Sequence, residues 1–187
     1  MSSVILSEPI DISKFSLIYA GAQKNIGPAG VTLVIIKESI LQNVTRNIPT
    51  MMQYQTHINK ESMFNTPPVM SIYAVNQSLH WLDSIGGVSN MEIKNKRKAK
   101  KLYDEIERNS LFNCPVHDDD RSIMNVPFVF NGKLDETSFL DHCADRGLYT
   151  LKGHRSVGGF RASIYNAMPE EGVDALIDAM RDYEKKF

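Results

Sequence analysis

The sequence has little cysteine and no long hydrophobic run, and each shortage disfavours a class of protein. Its two cysteines, Cys114 and Cys143, stand in no CxxC or cysteine–histidine spacing, so we predict free thiols rather than a metal site or a redox pair. The N-terminus lacks the basic start and apolar core of a signal peptide, and no apolar run approaches the length of a membrane span. We therefore expect a soluble, cytoplasmic protein.

An excess of charge of either sign is also missing. The chain has 21 basic and 22 acidic residues among 187, and a pI near 6.5, so no global field favours nucleic acid or an anionic membrane. The basic run at 94–101 has no interleaved aromatic residue and precedes several acids, which favours a solvated helix face. Three consecutive aspartates at 118–120 lack a ligand partner at a useful spacing, so no metal site is predicted.

The first half of the chain contains two short apolar runs, at 15–20 and 31–36, which we predict to be strands. Their continuous apolarity indicates burial on both faces, in a sheet covered by helices. The loop between them, residues 21–30, is rich in small residues and turn formers. A helix capped by Thr66 should follow, with an apolar stripe from Val69 to Leu82 that ends before a glycine pair at 86–87.

The second half has the pattern of a small α+β unit, and the glycine pair is our predicted domain boundary, dividing residues 1–87 from residues 88–187. Its first helix is long and strongly charged, with a thin apolar seam at Met91, Leu102 and Ile106. The predicted elements are helices at 88–108, 136–146 and 170–186, and strands at 125–130, 148–151 and 160–165.

Lys24 is the first candidate for chemistry. We expect a lysine in a tight, glycine-rich bend between two strands not to extend freely into water as most surface lysines do. A lysine amine that is partly neutral can attack an aldehyde and form a Schiff base, the reaction on which pyridoxal phosphate enzymes depend. From spacing alone, an ordinary turn lysine remains the favoured interpretation.

A second candidate is the basic, glycine-rich stretch at 152–161. It contains Lys152, His154, Arg155 and Arg161, with glycines that disfavour a helix. Because the planar fork of arginine binds carboxylate or phosphate through two hydrogen bonds, this stretch predicts an anion site. A solvated basic loop is the alternative.

Several segments together resemble one family. The segment Ala20–Gly30 is similar to the cofactor-lysine segment of the phosphoserine aminotransferase family, class-V members of the fold-type I enzymes that depend on pyridoxal 5'-phosphate. The similarity covers essentially the whole chain, through 64–68, 124–128, 152–155, 158–169 and 171–172. The resemblance implies an α/β fold in which residues 1–87 are the C-terminal part of the large cofactor-binding domain and residues 88–187 are a small C-terminal α+β domain.

The resemblance also implies roles for the cofactor-binding residues. Lys24 would bind pyridoxal 5'-phosphate covalently and then move the proton of the substrate carbon. Gln23 would bind the cofactor phosphate. Asn65 and Thr66 match a pair that reaches the cofactor phosphate of the neighbouring subunit in a homodimer, although the residues alone favour a plain helix cap.

For the substrate, the resemblance assigns Arg161 to the α-carboxylate, and His154 with Arg155 to the phosphate. The implied reaction converts 3-phosphohydroxypyruvate and glutamate into O-phosphoserine and 2-oxoglutarate, in serine biosynthesis. Two alternatives stay open: another fold-type I transaminase with a non-phosphorylated substrate, and a non-catalytic remnant that retains only the small domain. Loss of His154 and Arg155 should impair the phosphoserine reaction selectively, and it should hardly discriminate between substrates in the other transaminase.

The resemblance further implies that groups of the family lie outside this chain, since the family's chain is roughly twice as long. The aspartate that pairs with the pyridine nitrogen would come immediately before Met1. That aspartate keeps the ring protonated so that it can accept electrons. We therefore expect a truncated chain that is inactive alone.

Overall fold

The structure is a computed structural model that describes all 187 residues. They form two compact units, which we call unit 1, Met1–Gly87, and unit 2, Val88–Phe187. Unit 1 has a two-stranded sheet, and unit 2 has a three-stranded sheet. The interpretation of these units as the end of a large cofactor-binding domain and a small C-terminal domain stays a prediction.

The sheet of unit 1 is an antiparallel pair. Strand β1 is Leu17–Gly21 and strand β2 is Thr32–Ile36, in a register that sets Gly21 opposite Thr32 at the end nearest the connecting loop. Both predicted strands are therefore present, shifted by one or two residues at their ends. A small apolar core packs beside them, made of Ile5, Ala20, Ala22 and Ile26.

The predicted burial of these strands on both faces is wrong for this chain. Along β1, Ile18 and Ala20 are buried, but Tyr19 between them is 62% exposed. Leu33 and Val34 of β2 are also exposed. Successive side chains of a strand point to opposite faces, and the small core lies on only one face of β1.

Unit 1 also contains three α-helices, of which the sequence predicted only the last: α1 Glu38–Leu41, α2 Tyr54–Ile58 and α3 Val69–Ser84. The prediction that Thr66 caps α3 is wrong, because the capping position is Pro68 and no side chain caps the helix there. Two consecutive prolines precede Val69, whose N–H donates to the Pro67 carbonyl at 2.9 Å. Thr66 therefore lies two residues too early to serve as the cap.

The apolar stripe of α3 has the predicted helical spacing, but most of it is not buried in this chain. Leu82 is buried, whereas Val69 is 64% exposed and Ile72 is 45% exposed. The helix ends at Ser84, and Gly86 has a φ of 96°. A positive φ at a glycine is a common way for a helix to end, as the sequence predicted.

Unit 2 combines a three-stranded antiparallel sheet, in the order β3-β4-β5, with three helices. The predicted strand at 125–130 is confirmed to the residue, and the predicted helices are confirmed with small changes at their ends. In chain order the elements are α4 Gly87–Arg108, β3 Phe112–Asn113, β4 Asn125–Phe130, α5 Glu136–Ala144, β5 Phe160–Ser163 and α6 Glu170–Glu184.

The strand predicted at 148–151 is wrong, and strand β3 was not predicted. Thr150 has a φ of 61°, in the left-handed region, so the chain cannot remain extended through that segment. Only Lys152 forms an isolated bridge, to Phe160 of β5. The four-residue pattern carried too few residues to separate a short strand from an irregular segment.

Phenylalanine rings fill the core of unit 2. Phe112, Phe128, Phe139 and Phe160 are buried, and the Phe139 and Phe160 ring centroids lie 4.9 Å apart. The predicted seam of α4 is confirmed, since Met91, Leu102 and Ile106 are all buried, and the last two join this core. This packing fixes β5, the strand that carries Arg161.

Candidate active site

The segment after β1 folds into a tight turn that carries Lys24. The carbonyl of Ala22 accepts hydrogen bonds from the backbone N–H groups of Ile26 at 3.2 Å and Gly27 at 2.9 Å. Ala22 and Ile26 are buried in the small core of unit 1. Because those two residues face inward, Gln23 and Lys24 between them face outward, and both are exposed.

Two neighbouring segments hold this turn in place. On one side, the Asn25 amide donates to the Ile5 carbonyl at 2.6 Å. On the other side, Ser71 of α3 donates to a carbonyl of the loop at 3.0 Å. A Cβ added to Gly27 would lie 2.6 Å from the Val75 side chain, so glycine is needed there for the close approach of α3. The backbone that carries Lys24 is therefore fixed from both sides.

The Lys24 side chain itself differs from the expectation. It is exposed, so the prediction that it cannot extend into water is wrong for this chain. Its amine has no hydrogen bond and no ion pair within the 187 residues. A lysine amine on a fixed backbone, without a carboxylate partner, is free to react with a carbonyl compound.

Asn65 and Thr66 lie at the beginning of the helix that supports this turn. Both are exposed, and the Asn65 amide donates only to the neighbouring Thr66 carbonyl, at 3.3 Å. No hydrogen bond or ion pair joins Asn65 or Thr66 to Lys24 within the chain. The polar groups of Asn65 and Thr66 thus face solvent in front of α3, where a second molecule could approach them.

In unit 2, His154 and Arg155 lie on a glycine-bounded turn just before β5. The His154 carbonyl accepts from the N–H of Val157 at 2.9 Å and of Gly158 at 2.8 Å, and the Gly153 N–H donates to the Gly159 carbonyl at 2.8 Å. The His154 ring lies 2.7 Å from the Ser156 hydroxyl. The histidine and Arg155 are both exposed on this closed turn.

Gly159 closes the turn against the sheet. Its φ is 61°, and an added Cβ would lie 2.6 Å from the Val129 side chain and 2.7 Å from the Phe128 carbonyl. Its N–H donates to a Glu136 carboxylate oxygen at 3.1 Å. Glu136 is the first residue of α5, so this hydrogen bond ties the end of the turn to that helix, and nothing in the sequence pattern indicated it.

Arg161 follows two residues later, on β5, an outer strand of the three-stranded sheet. Its backbone N–H donates to the Leu151 carbonyl at 2.7 Å, and β4 sets Pro127 opposite it. The Nε atom of Arg161 is buried and has no hydrogen-bond partner. A buried guanidinium N–H without an acceptor is costly, so this side chain has an unfilled requirement for an anion or another acceptor.

Lys98 of α4 fixes the segment that follows β5. Its buried amine donates to the carbonyls of Ile164 at 3.2 Å, Tyr165 at 2.9 Å and Met168 at 2.9 Å. Desolvation by burial lowers the pKa of this amine to about 8. In the sequence Lys98 belongs to the basic run at 94–101, and nothing there distinguishes it from its solvated neighbours.

The seven predicted residues thus form two groups. Gln23, Lys24, Asn65 and Thr66 lie in unit 1, and His154, Arg155 and Arg161 lie in unit 2. Within unit 2, the closed turn and β5 bring the three cationic candidates into one short segment of the fold.

The rest of the basic run at 94–101 is largely neutralised by carboxylates, as expected of a solvated face. The ion pairs of the run are Lys96 with Glu92, Arg97 with Glu170, Lys100 with Asp104, and Lys101 with Glu170 and Asp174.

No group of three metal-ligating side chains is present, both cysteines are free, and burial raises the pKa of Cys143 to about 12. No helix has the length and apolarity needed to cross a membrane.

Comparison with known proteins identifies relatives over the whole chain. Residues 1–176 match the sequence model of class-V aminotransferases. The phosphoserine aminotransferase of Azobacteroides pseudotrichonymphae is 56% identical over 187 residues, which are 99% of this chain and 52% of that protein. The chain therefore spans about half the length of the curated relatives it matches.

Two solved structures have the same fold over this half. The phosphoserine aminotransferase of Bacillus circulans subsp. alkalophilus has a TM-score of 0.95 and 43% identity, over 100% of this chain and 52% of that one. The pyridoxal-phosphate-bound enzyme of Trichomonas vaginalis has a TM-score of 0.91 and 43% identity, over 97% and 52%. The α/β fold of aminotransferases predicted from the sequence is confirmed over the matched half.

Proposed function

We propose, from the premise that this chain belongs to the class-V aminotransferase family, that it acts in phosphoserine transamination. The reaction would convert 3-phosphohydroxypyruvate and glutamate into O-phosphoserine and 2-oxoglutarate, in serine biosynthesis. Curated relatives at 50–56% identity carry the name phosphoserine aminotransferase, which supports this substrate pair. That the chain alone is inactive stays a prediction.

The observation that carries the proposal is the Lys24 turn. Its exposed amine has no partner in the chain, and its backbone is fixed by the buried residues Ala22 and Ile26. These features fit a lysine that holds pyridoxal 5'-phosphate. When bound, this cofactor supplies an aldehyde that exchanges amino groups and a ring that delocalises the electrons of the substrate carbon.

The chain's own residues would then have separate tasks. The Lys24 amine would take the proton from the substrate α-carbon and later return one, since this residue would also hold the cofactor. The Gln23 side chain, next to it on the same turn, donates its amide N–H to the cofactor phosphate. Asn65 and Thr66 donate to the phosphate of a second subunit, in a homodimer that we include in the proposal.

The substrate would be held by the anion site of unit 2. The Arg161 guanidinium, whose buried Nε lacks an acceptor, fits a carboxylate that it can bind through two N–H groups. The exposed His154 and Arg155, on the turn before β5, would bind the substrate phosphate. The cytoplasmic compartment expected from the sequence is part of the same proposal.

The first experiment tests attachment of the cofactor. The purified chain is incubated with pyridoxal 5'-phosphate, reduced with borohydride and digested, and the modified peptides are identified by mass spectrometry. We expect modification at Lys24 that disappears in Lys24→Ala and persists in Lys60→Ala, since Lys60 is an exposed lysine of the same unit whose amine also has no hydrogen bond. Modification spread equally over exposed lysines would count against the proposal and would favour the non-catalytic alternative.

The second experiment tests the class of substrate. We expect His154→Ala/Arg155→Ala to weaken binding of O-phosphoserine by about tenfold or more and to leave glutamate binding unchanged, since hydrogen bonds to charged groups contribute about 1.5–3 kcal/mol. Lys152→Ala, an exposed cation on the same stretch, is the matched control. Equal losses for both ligands would favour a transaminase with a non-phosphorylated substrate.

A further inference from the structure

Strands β4 and β5 have a polar face opposite to the phenylalanine core. In the antiparallel register, Asn125 lies opposite Ser163, and Pro127 lies opposite Arg161. Since alternate residues share a face, these four side chains lie on the same side of the sheet. Asn125 is therefore the diagonal neighbour of Arg161, at a Cα separation of about 7–8 Å, which long side chains can span.

The side-chain amide of Asn125 is oriented by two hydroxyl groups. Its Oδ1 atom accepts hydrogen bonds from Ser163 Oγ at 3.1 Å and from Tyr165 OH at 3.4 Å. The acceptor end of the amide is thus occupied. Its NH2 group, which can only donate, has no partner in the chain.

A hydrogen bond from α4 fixes the backbone of the segment that carries Tyr165. The Tyr165 carbonyl accepts a hydrogen bond from the buried amine of Lys98 at 2.9 Å. A fixed backbone and a second hydrogen bond from Ser163 leave the Asn125 amide little freedom to turn. Hydrogen bonds within the protein therefore set the direction in which the NH2 group points.

Two unused donors then lie on one face: the NH2 group of Asn125 and the buried Nε of Arg161. No carboxylate of the chain pairs with either one. A ligand carboxylate has two oxygens and about four acceptor positions, so it can satisfy an arginine fork and an amide N–H together. A neutral ligand would leave the guanidinium charge uncompensated.

We propose that Asn125 is a second binding residue for the substrate α-carboxylate, and that Ser163 and Tyr165 position its amide. The proposal rests on the role proposed above for Arg161. Asn125 adds a hydrogen bond without adding charge. It also favours one orientation of the carboxylate over rotation about the arginine.

The test uses the full chain, labelled with 15N, and titrates glutamate while following the side-chain NH signals of Asn125 and Arg161 by NMR. As a ligand control, 4-aminobutyrate keeps the distal carboxylate of glutamate but lacks the α-carboxylate. We expect glutamate, and not 4-aminobutyrate, to shift both signals saturably. Asn125→Ala should weaken glutamate binding by about tenfold, the usual effect of a lost hydrogen bond to a charged group.

Two further variants separate binding from structure. Asn125→Asp keeps the oxygen that accepts from both hydroxyls but replaces the NH2 group with a charged oxygen, so we expect a larger loss of affinity than in Asn125→Ala. Ser163→Ala removes one of the two positioning bonds and should weaken binding by about threefold, a smaller loss because no direct contact is removed. Native dispersion of the backbone spectrum checks the fold of each variant.

The outcomes distinguish this proposal from the previous one. If Arg161→Leu abolishes glutamate binding while both Asn125 variants bind normally, the inference is overturned and the proposed role of Arg161 stands. If Arg161→Leu binds as the wild type does, the carboxylate assignment fails and the inference fails with it. Absence of a saturable shift in the wild-type chain also overturns the inference.

Discussion

Replacing Glu105 with glutamine should destabilise unit 2, because this carboxylate joins α4 to α6. Glu105 is 2% exposed and accepts hydrogen bonds from Arg108 Nε at 2.9 Å and Nη2 at 2.7 Å, Arg181 Nε at 2.8 Å, and Asn109 Nδ2 at 3.2 Å. Glu105→Gln keeps the size of the side chain and removes its charge. The substitution therefore tests the charge rather than the packing.

The size of the expected loss in unfolding free energy depends on two opposing effects on the Glu105 carboxyl. Burial raises the pKa of Glu105, but the hydrogen bonds from Arg108, Arg181 and Asn109 together outweigh it, so the pKa lies below its usual value. The folded state thus favours the charged form. Hydrogen bonds to charged groups contribute about 1.5–3 kcal/mol, and because both arginines are half exposed we expect a total loss of about 2 kcal/mol.

The effect should depend on pH in a defined direction. A carboxyl whose folded-state pKa is lowered stabilises the protein above the unfolded-state pKa and loses that contribution as pH falls through the folded-state pKa. Glutamine does not titrate. The difference in unfolding free energy between wild type and Glu105→Gln should therefore be constant near neutral pH and should narrow below about pH 4.5.

Urea denaturation followed by far-UV circular dichroism measures this difference. Asp104→Asn is the matched control, since its ion pair with Lys100 is exposed on the same helix and should contribute less than about 0.5 kcal/mol. The single tryptophan, Trp81, lies in unit 1, so its fluorescence follows that unit in the same samples. Equal stability of the two variants, or a difference unchanged at about pH 3, would refute the reasoning.

Three further predictions concern unit 2. Gly159→Ala should cost about 2 kcal/mol of unfolding free energy by chemical denaturation, because an added Cβ would lie 2.6 Å from a β4 side chain at a φ of 61°. Iodoacetamide at about pH 8 should label Cys114 and spare Cys143, whose pKa burial raises to about 12, as peptide mass spectrometry can check. Asp135→Ala should cost about 1 kcal/mol by the same denaturation assay and speed amide exchange at the start of α5, because the Asp135 carboxylate caps that helix through the Thr137 N–H at 3.0 Å.

The helices and strands that the sequence predicted well are long enough to show a periodic pattern of apolar residues within one segment. Strand β4 alternates core and surface residues over six positions, and the apolar seam of α4 at Met91, Leu102 and Ile106 has helical spacing. Strand β3, with two residues, and helices α1 and α2, with four and five, are too short to show a period. The false strand at 148–151 failed for the same reason.

The candidate site divides in the same way. Residue type and glycine content, which are local, and the family resemblance indicated Lys24 and the cationic stretch before β5. The oriented amide of Asn125 was not found, because its two hydroxyl partners lie 38 and 40 residues away along the chain. The alternation of Arg161, Ser163 and Tyr165 with apolar residues was the only signal that pointed to that face.

The sequence by itself determined most of the longer helices and strands, and it indicated the side chains that we propose bind an aldehyde or an anion. Periodicity, turn chemistry and residue type are properties of neighbouring residues, so they can be recognised without a fold. The tertiary structure decided which of those side chains are exposed, paired or oriented. Lys24 faces solvent, Lys98 is buried against three carbonyls, and Arg161 Nε lacks an acceptor, since each depends on contacts between distant segments.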